Sequence, residues 1–298
     1  MPKENTHIYF ATKLLKKLDN QELSSLLRNH INSYYLGSLT PDTFYYNKDH
    51  TISDFLHGVH GNLTNDIIFK FLDSVKKTKN QQDLAFILGY ISHCALDIIF
   101  HPIIYFLSGD YYDSNKIRRI ENIYLHRHLE TSLDNIVSNF GFNLSINKKM
   151  IKSLNSISII SNHFKITTDI MLQTYKKQIW TNKLFKIDLL FNLAYLLFNL
   201  GIYKNKTNLG FFYRNLAKDK TTIPKEYDFQ DIITGEKSYL SIDELFLAAQ
   251  KLAIDMQNAA HTYHKGIITK KECAKIISGK SLETGKLNCP ISDMKFTL

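Results

Sequence analysis

The sequence predicts a mostly helical protein, all-α in class, and three observations carry that prediction. Five Pro and twelve Gly in 298 residues leave few breakers of helix. The run from Ala85 to Leu107 is apolar almost throughout, yet His93, Asp97 and His101 interrupt it at intervals of four. Elsewhere apolar residues recur three and four apart, the spacing that gives a helix one buried face. With 44% hydrophobic residues the chain is globular and can bury a sizeable core.

Taken in order, Ile8, Phe10, Ala11, Leu14, Leu15 and Leu18 form the stripe of a first helix, which His7 opens. A second is expected from about Asn20 to Ile31. Gly37, Pro41 and bulky side chains make Tyr34 to Tyr46 an ordered connection that can present Asp42 rigidly. Residues 53–62, with His57-Gly-Val-His60-Gly, read as irregular, and Thr64 or Asn65 starts a helix through about Val75. The central helix runs from about Asp83 to His101 or beyond. Pro102 disfavours helical geometry at the residue before it, so His101 is expected at a kink or a helix end.

Lys116 to Val137 form a helix with Ile117, Ile120, Ile123, Tyr124, Leu129 and Leu133 as its stripe, carrying His126 and Glu130. Helices are also expected at about 148–156, 166–181 and 184–200. The apolar run Leu189 to Tyr203 is short for a membrane span and contains Asn192 and Asn199, so it reads as a core helix. Residues 221–239, with Pro224, Asp231 and Gly235, read as a loop. Ser241-Ile-Asp-Glu244 has the form of a capping box before a helix from Leu245 to about His264, and the tail beyond Gly279 is expected to be poorly tied down.

A net charge of +9 favours anionic partners, a phospholipid surface or nucleic acid, although the lysines are scattered rather than clustered. Cys94, Cys273 and Cys289 have no CxxC spacing, and the polar start Met1-Pro2-Lys3-Glu4 carries no secretory signal. A reduced, cytoplasmic setting is therefore expected, with peripheral membrane association as an addition.

Steps of four advance about 40° around a helix, so His93, Asp97 and His101 share one face of a buried rod. Such a ladder is either a hydrogen-bonded core set or a set of metal ligands. Further candidates stand at His7, at Asp42, at His57 or His60, and at His126-x-x-x-Glu130, again one turn apart on a helix. Zinc takes imidazole nitrogen and carboxylate oxygen, and helical bundles build such sites from facing helices. Asp42 after Pro41 also suits a turn or cap. His261 and His264 lack a carboxylate partner and read as surface or packing residues, and Cys94 as core.

As an ordered set these residues resemble the zinc-dependent phospholipase C family, whose members are all-α and carry three zinc ions. The resemblance runs over roughly residues 5 to 135: Thr6-His7-x-x-Phe10-Ala11, Gly37-Ser38-x-x-Pro41-Asp42, His57-Gly58, Gly89-Tyr90-x-x-His93-x-x-x-Asp97, His101-Pro102 and His126-Arg127-His128-Leu129-Glu130. It implies one zinc held by His57, His93 and Asp97 and a second by His101, His126 and Glu130. Asp97 would bridge to a third, shared with His7 and the α-amino group. Asp42 would be the acid/base residue that positions the attacking water, and the activity would be hydrolysis of a phosphodiester, of a phospholipid above all, by zinc-activated water.

Two features depart from the family pattern. The chain opens Met1-Pro2 where secreted members expose a processed amine, which bears on the third zinc. Thr43 stands where choline-lipid hydrolases carry an aromatic residue, so choline specificity is not implied. His60 is an alternative to His57, and His128 to His126; His128 falls on the wrong side of the helix from Glu130. Single-strand nucleases of a related trinuclear-zinc fold are the alternative within the enzyme class. A helical membrane-surface or interaction protein stapled by its metal is the alternative outside it. One helical domain is expected, with a metal-binding half at about 1–140 and a helical half at about 141–298, a separate part from near residue 165 being the other possibility.

Overall fold

The computed structural model describes residues 3–59, 62–139 and 146–296. The chain is all-α apart from one small hairpin. Helix α1 (Glu4–Lys17) turns into α2 (Gln21–Asn29), whose first turn is held by Asn20 accepting from the Leu23 amide. Next come α3 (Ile31–Thr43), α4 (Thr51–His57), α5 (Thr64–Thr78) and the long α6 (Gln81–Ser108). Asn80 caps α6 by accepting from the amides of Gln82 and Asp83.

Helix α6 is the axis of the structure. It packs against α1, α3, α5, α7 (Lys116–Asn139) and α12 (Ile242–His264), and every residue from Asp83 to Ile98 is buried. Among the described residues it is the one helix long and apolar enough to cross a membrane, and protein rather than lipid covers it. Around this core lie α8 (Lys148–Ser153), α9 (Ile159–Phe164), α10 (Thr168–Phe185), α11 (Asp188–Asn199) and α13 (Lys270–Ile276).

The contact between α3 and α6 is closest. A Cβ on Gly37 would overlap the Phe86 carbonyl of α6, and a Cβ on Gly89 would overlap the Tyr34 carbonyl of α3. The two helices therefore meet backbone to backbone, which only a residue without a side chain permits at these points.

Five sequence expectations are corrected. Tyr34 to Tyr46 is not a connection: residues through Thr43 are helical across Pro41, and Phe44–Tyr46 add a 3₁₀ turn. Burial of this stretch against α6 overrides the local breaker signals of Gly37 and Pro41. Likewise α4 includes His57 as its last residue, so that histidine is helical rather than irregular. Of the two places expected for His101, a kink or a helix end, the end is excluded: α6 runs on through Pro102 and stops at Ser108. The Ile98 carbonyl, which Pro102 cannot hydrogen-bond, is met by the C-terminal segment at Gly285.

The expected loop at 221–239 contains two strands, β1 (Glu226–Gln230) and β2 (Lys237–Ser241), paired antiparallel from Glu226 opposite Ser241 to Gln230 opposite Lys237. Tyr227 and Phe229 alternate inward along β1, and Phe229 packs on Phe106 at 5.3 Å. The tail beyond Gly279 is tied down: Leu282, Glu283 and Thr284 are buried, and Met294 packs against Tyr105. By contrast the capping box stands as read, Ser241 Oγ accepting from the Glu244 amide at 3.2 Å and Glu244 accepting from the Ser241 amide at 3.0 Å.

Gly89→Ala should lower stability by about 3 kcal/mol, because the added methyl meets backbone that cannot rotate away. Urea unfolding read by circular dichroism checks this. A midpoint equal to wild type would show that α3 and α6 can part without cost.

Candidate metal centre

Three helices bring the first group of donors together. Asp42 comes from the last turn of α3, His57 from the end of α4, and His93 and Asp97 from successive turns of α6; one donor atom from each lies within 4.8 Å of the others. His93 Nε2 stands 3.0 Å from Asp97 Oδ2, and His57 Nε2 stands 3.2 Å from Asp42 Oδ1. His7, on α1, adjoins this group, its Nε2 3.5 Å from Asp42 Oδ2 and 3.6 Å from Asp97 Oδ1, with its ring stacked on His93 at 4.0 Å. Asp97 thus turns one oxygen toward His93 and the other toward His7. Among these side chains only Asp42 reaches solvent, at 12% exposure against 0% for His7, His57, His93 and Asp97.

One turn beyond Asp97, His101 joins His126 and Glu130 in a second group. His126 Nε2 lies 3.1 Å from Glu130 Oε1, the one-turn spacing on α7 placing base and carboxylate side by side.

The hydrogen bonds of the imidazoles decide what these groups can do. His57 Nδ1 donates to the Ser53 carbonyl at 2.7 Å, His93 Nδ1 to the Ser38 carbonyl at 2.9 Å, and His101 Nδ1 to the Leu282 carbonyl at 2.9 Å. A carbonyl only accepts, so each Nδ1 carries a proton and each Nε2 is left facing the cluster, where it offers a lone pair whenever the ring is neutral. The Asp42 Oδ1, Asp97 Oδ1 and Oδ2, His7 Nδ1 and Nε2 and His101 Nε2 atoms are buried and have no hydrogen-bond partner. Each such atom costs about 1–3 kcal/mol where nothing replaces its water. A divalent cation among imidazole nitrogens and carboxylate oxygens would satisfy them together, so the donor set fits zinc.

Two buried histidines respond in opposite ways to the same carboxylates. Burial disfavours the imidazolium of His93, but Asp97 and Asp42 outweigh it and hold its pKa up at about 9. For His7 burial wins, reinforced by the neighbouring His93, and the pKa falls to about 3. The difference follows distance: His93 has a carboxylate oxygen at 3.0 Å, His7 none nearer than 3.5 Å. Asp97 is likewise buried, yet His93 and His101 hold its carboxyl well below the usual range. In the metal-free chain the proton on His93 stands where a cation would stand.

All seven metal-ligand candidates and Asp42 therefore lie in or beside the two groups. Asp42, a ligand candidate by sequence that the resemblance casts as the acid/base residue, falls within ligand distance of the first. His126 rather than His128 faces Glu130; His128 Nε2 donates to the Asp219 carbonyl at 3.0 Å, and its ring stacks on Tyr124. His60 and the α-amino group lie outside the described residues. Cys94 is core as expected, and His261 and His264 are buried; His261 Nε2 lies 3.9 Å from Glu22 Oε1, a carboxylate the sequence did not pair with it.

The sequence did not reveal the part played by the C-terminal segment. Besides the Leu282 carbonyl, Glu283 brings Oε2 to 3.6 Å from His101 Nδ1 and accepts from the Tyr105 hydroxyl at 2.7 Å. A main-chain carbonyl has no residue signature, and Glu283 has no partner at ligand spacing. Tyr105 and Tyr111 pack edge-on against His126 at 4.9 Å and 5.2 Å, and Tyr45 lies against His57 at 5.4 Å.

A family model for zinc dependent phospholipase C matches residues 6–182, which takes in both groups of donors and stops short of Leu282 and Glu283. No curated protein and no solved structure matches the chain.

Loading zinc at pH 7 should release about one proton from His93, because that ring keeps its proton until about pH 9. Calorimetric titration in two buffers of different ionisation enthalpy checks this, and the release should fade above pH 9. The folded pKa lies above the ordinary 6.5, so His93 stabilises the metal-free fold fully below pH 6.5 and loses that contribution as pH rises through about 9. Glu283→Gln should weaken zinc binding about 10-fold, read by competition with a chromogenic chelator, with the melting temperature of the metal-free protein unchanged.

Proposed function

Since the chain belongs to the zinc-dependent phospholipase C family, we propose that it hydrolyses the phosphodiester of a phospholipid headgroup. One observation carries the reading: two groups of buried donors, aligned along one face of α6, have imidazoles oriented by backbone carbonyls and oxygens without hydrogen-bond partners. We assign His57, His93 and Asp97 to one ion, His101, His126 and Glu130 to a second, and His7 with the second oxygen of Asp97 to a third.

Zinc held there would acidify water and neutralise the anionic oxygens of the phosphodiester. The chain's residues do the rest. Asp42 stands at the solvent-reaching edge of the first group, where it can accept a proton from the attacking water or orient it toward phosphorus. His93 and Asp97 hold their positions through the Ser38 carbonyl and the rigid α6 backbone. Glu283 and Leu282 keep His101 turned inward.

Lipid is favoured over nucleic acid by the space beside the centre. A pocket of 420 Å³ opens next to Tyr112, lined by Val59, Ile291, Ser292, Met294 and Phe296, with Asp110 the one charged residue among the described residues that line it. Tyr112 packs on Tyr111, which packs on His126. An apolar pocket with one carboxylate suits a glycerolipid or a cationic headgroup and repels a polyanion.

The test begins with elemental mass spectrometry of protein purified without a tag or added metal, where two or three zinc per chain are expected. Short-chain phospholipids and a single-stranded oligonucleotide then compete as substrates, and cleavage of the oligonucleotide alone would overturn the lipid reading. Asp42→Asn should lower turnover at least about 100-fold with zinc content unchanged; loss of zinc along with turnover would make Asp42 a ligand instead.

A further inference from the structure

Helix α11 is apolar on two opposite faces. Phe191, Ala194 and Phe198 turn inward onto Leu209 and Phe212. Leu189, Leu193, Leu196 and Leu200 turn outward and are 76%, 51%, 55% and 62% exposed. At about 100° per residue these four fall within an arc of about 60°. Ile187 and Ile202, just outside the two ends of the helix, are also exposed. Single exposed leucines are ordinary, but a continuous ridge of them marks a surface that meets something apolar. The stretch reads from sequence as a core helix; only half of it is core.

The surroundings of the ridge are basic. Residues 176–206 contain Lys176, Lys177, Lys183, Lys186, Lys204 and Lys206 against a single acid, Asp188, which faces Arg214 at 3.7 Å. Lys206 pairs with Glu121, and the other five lysines are exposed. The chain's one tryptophan, Trp180, is 62% exposed, and its position on α10 shares a face with Lys176, Lys177 and Lys183.

We propose that α11 and the last turns of α10 dock the protein on an anionic phospholipid bilayer. The leucine ridge would enter the boundary between headgroups and acyl chains while the lysines meet lipid phosphates and Trp180 sits at headgroup level. A second copy of the chain suits this face less well. An isologous contact would set the same lysines against their own copies, and like charges across an interface are repulsive. The inference requires neither metal nor turnover and goes beyond the catalytic reading.

Cosedimentation of the full chain with phosphatidylcholine vesicles, with and without phosphatidylserine, tests it. The protein should pellet with the anionic vesicles, with a blue shift of Trp180 emission, and stay in solution with the neutral ones. Leu193→Asp together with Leu196→Asp should weaken binding at least about 10-fold. Lys183→Glu with Lys186→Glu should do the same and make the binding that remains less sensitive to salt. All four side chains are exposed, so melting temperature and turnover of a soluble phosphodiester should stay at wild-type values.

Wild-type protein that ignores anionic vesicles overturns the proposal. So does a wild-type dimer, seen by sedimentation equilibrium, that the leucine pair dissolves, since a second copy then occupies the face. A chain that pellets with anionic vesicles but cleaves no phosphodiester keeps the docking surface and loses the catalytic reading. Turnover of a soluble phosphodiester without vesicle binding does the reverse.

Discussion

Everything at the centre depends on how closely α3 can approach α6. The two helices touch through Gly37 and Gly89, so their axes are fixed by backbone against backbone rather than by side chains that could repack. Ser38, next to Gly37, supplies the carbonyl that accepts the hydrogen bond from His93 Nδ1, and His93 is one turn beyond Gly89. Asp42 lies at the end of the same α3, where Ser53 of α4 donates to the carbonyl of Pro41 and brings His57 alongside. Helix packing and ligand geometry are thus one constraint, with no flexible segment between them.

The chain also gathers more buried charge and unpaired donor capacity than a simple core tolerates. The two carboxylates and two imidazoles of the first group, with His7 beside them, are packed so that several of their inward atoms have no hydrogen-bond partner in the protein. One protonated His93 offsets part of that charge. Metal binding would replace the proton by a larger charge at the same place, so affinity for metal and stability of the fold are linked quantities.

What could be read from the sequence was local. The His93–Asp97–His101 ladder and the His126–Glu130 pair are legible because a spacing of four on an apolar helix is written in consecutive residues. Asp42 was identified, but its setting was not, since Gly37 and Pro41 argue locally for a connection and only the tight contact with α6 makes them helical. The hairpin escaped notice because just Tyr227 and Phe229 carry its alternation. Leu282 and Glu283 were invisible for a different reason: they lie about 180 residues from His101, and no periodicity reaches that far. For α11, hydrophobicity was plain, but composition does not say which of two apolar faces finds a partner.

The position of Leu282 and Glu283 has a bearing on biosynthesis. Residues 7 to 130, which carry both groups of donors, leave the ribosome first, yet the Leu282 carbonyl that accepts from His101 Nδ1 is absent until residue 282 has been made. Until then that ring is free to turn, and the second pocket is open on the side that the C-terminal segment later covers. The second group is therefore complete only when the last part of the chain has docked, although its three side chains belong to the first half of the sequence.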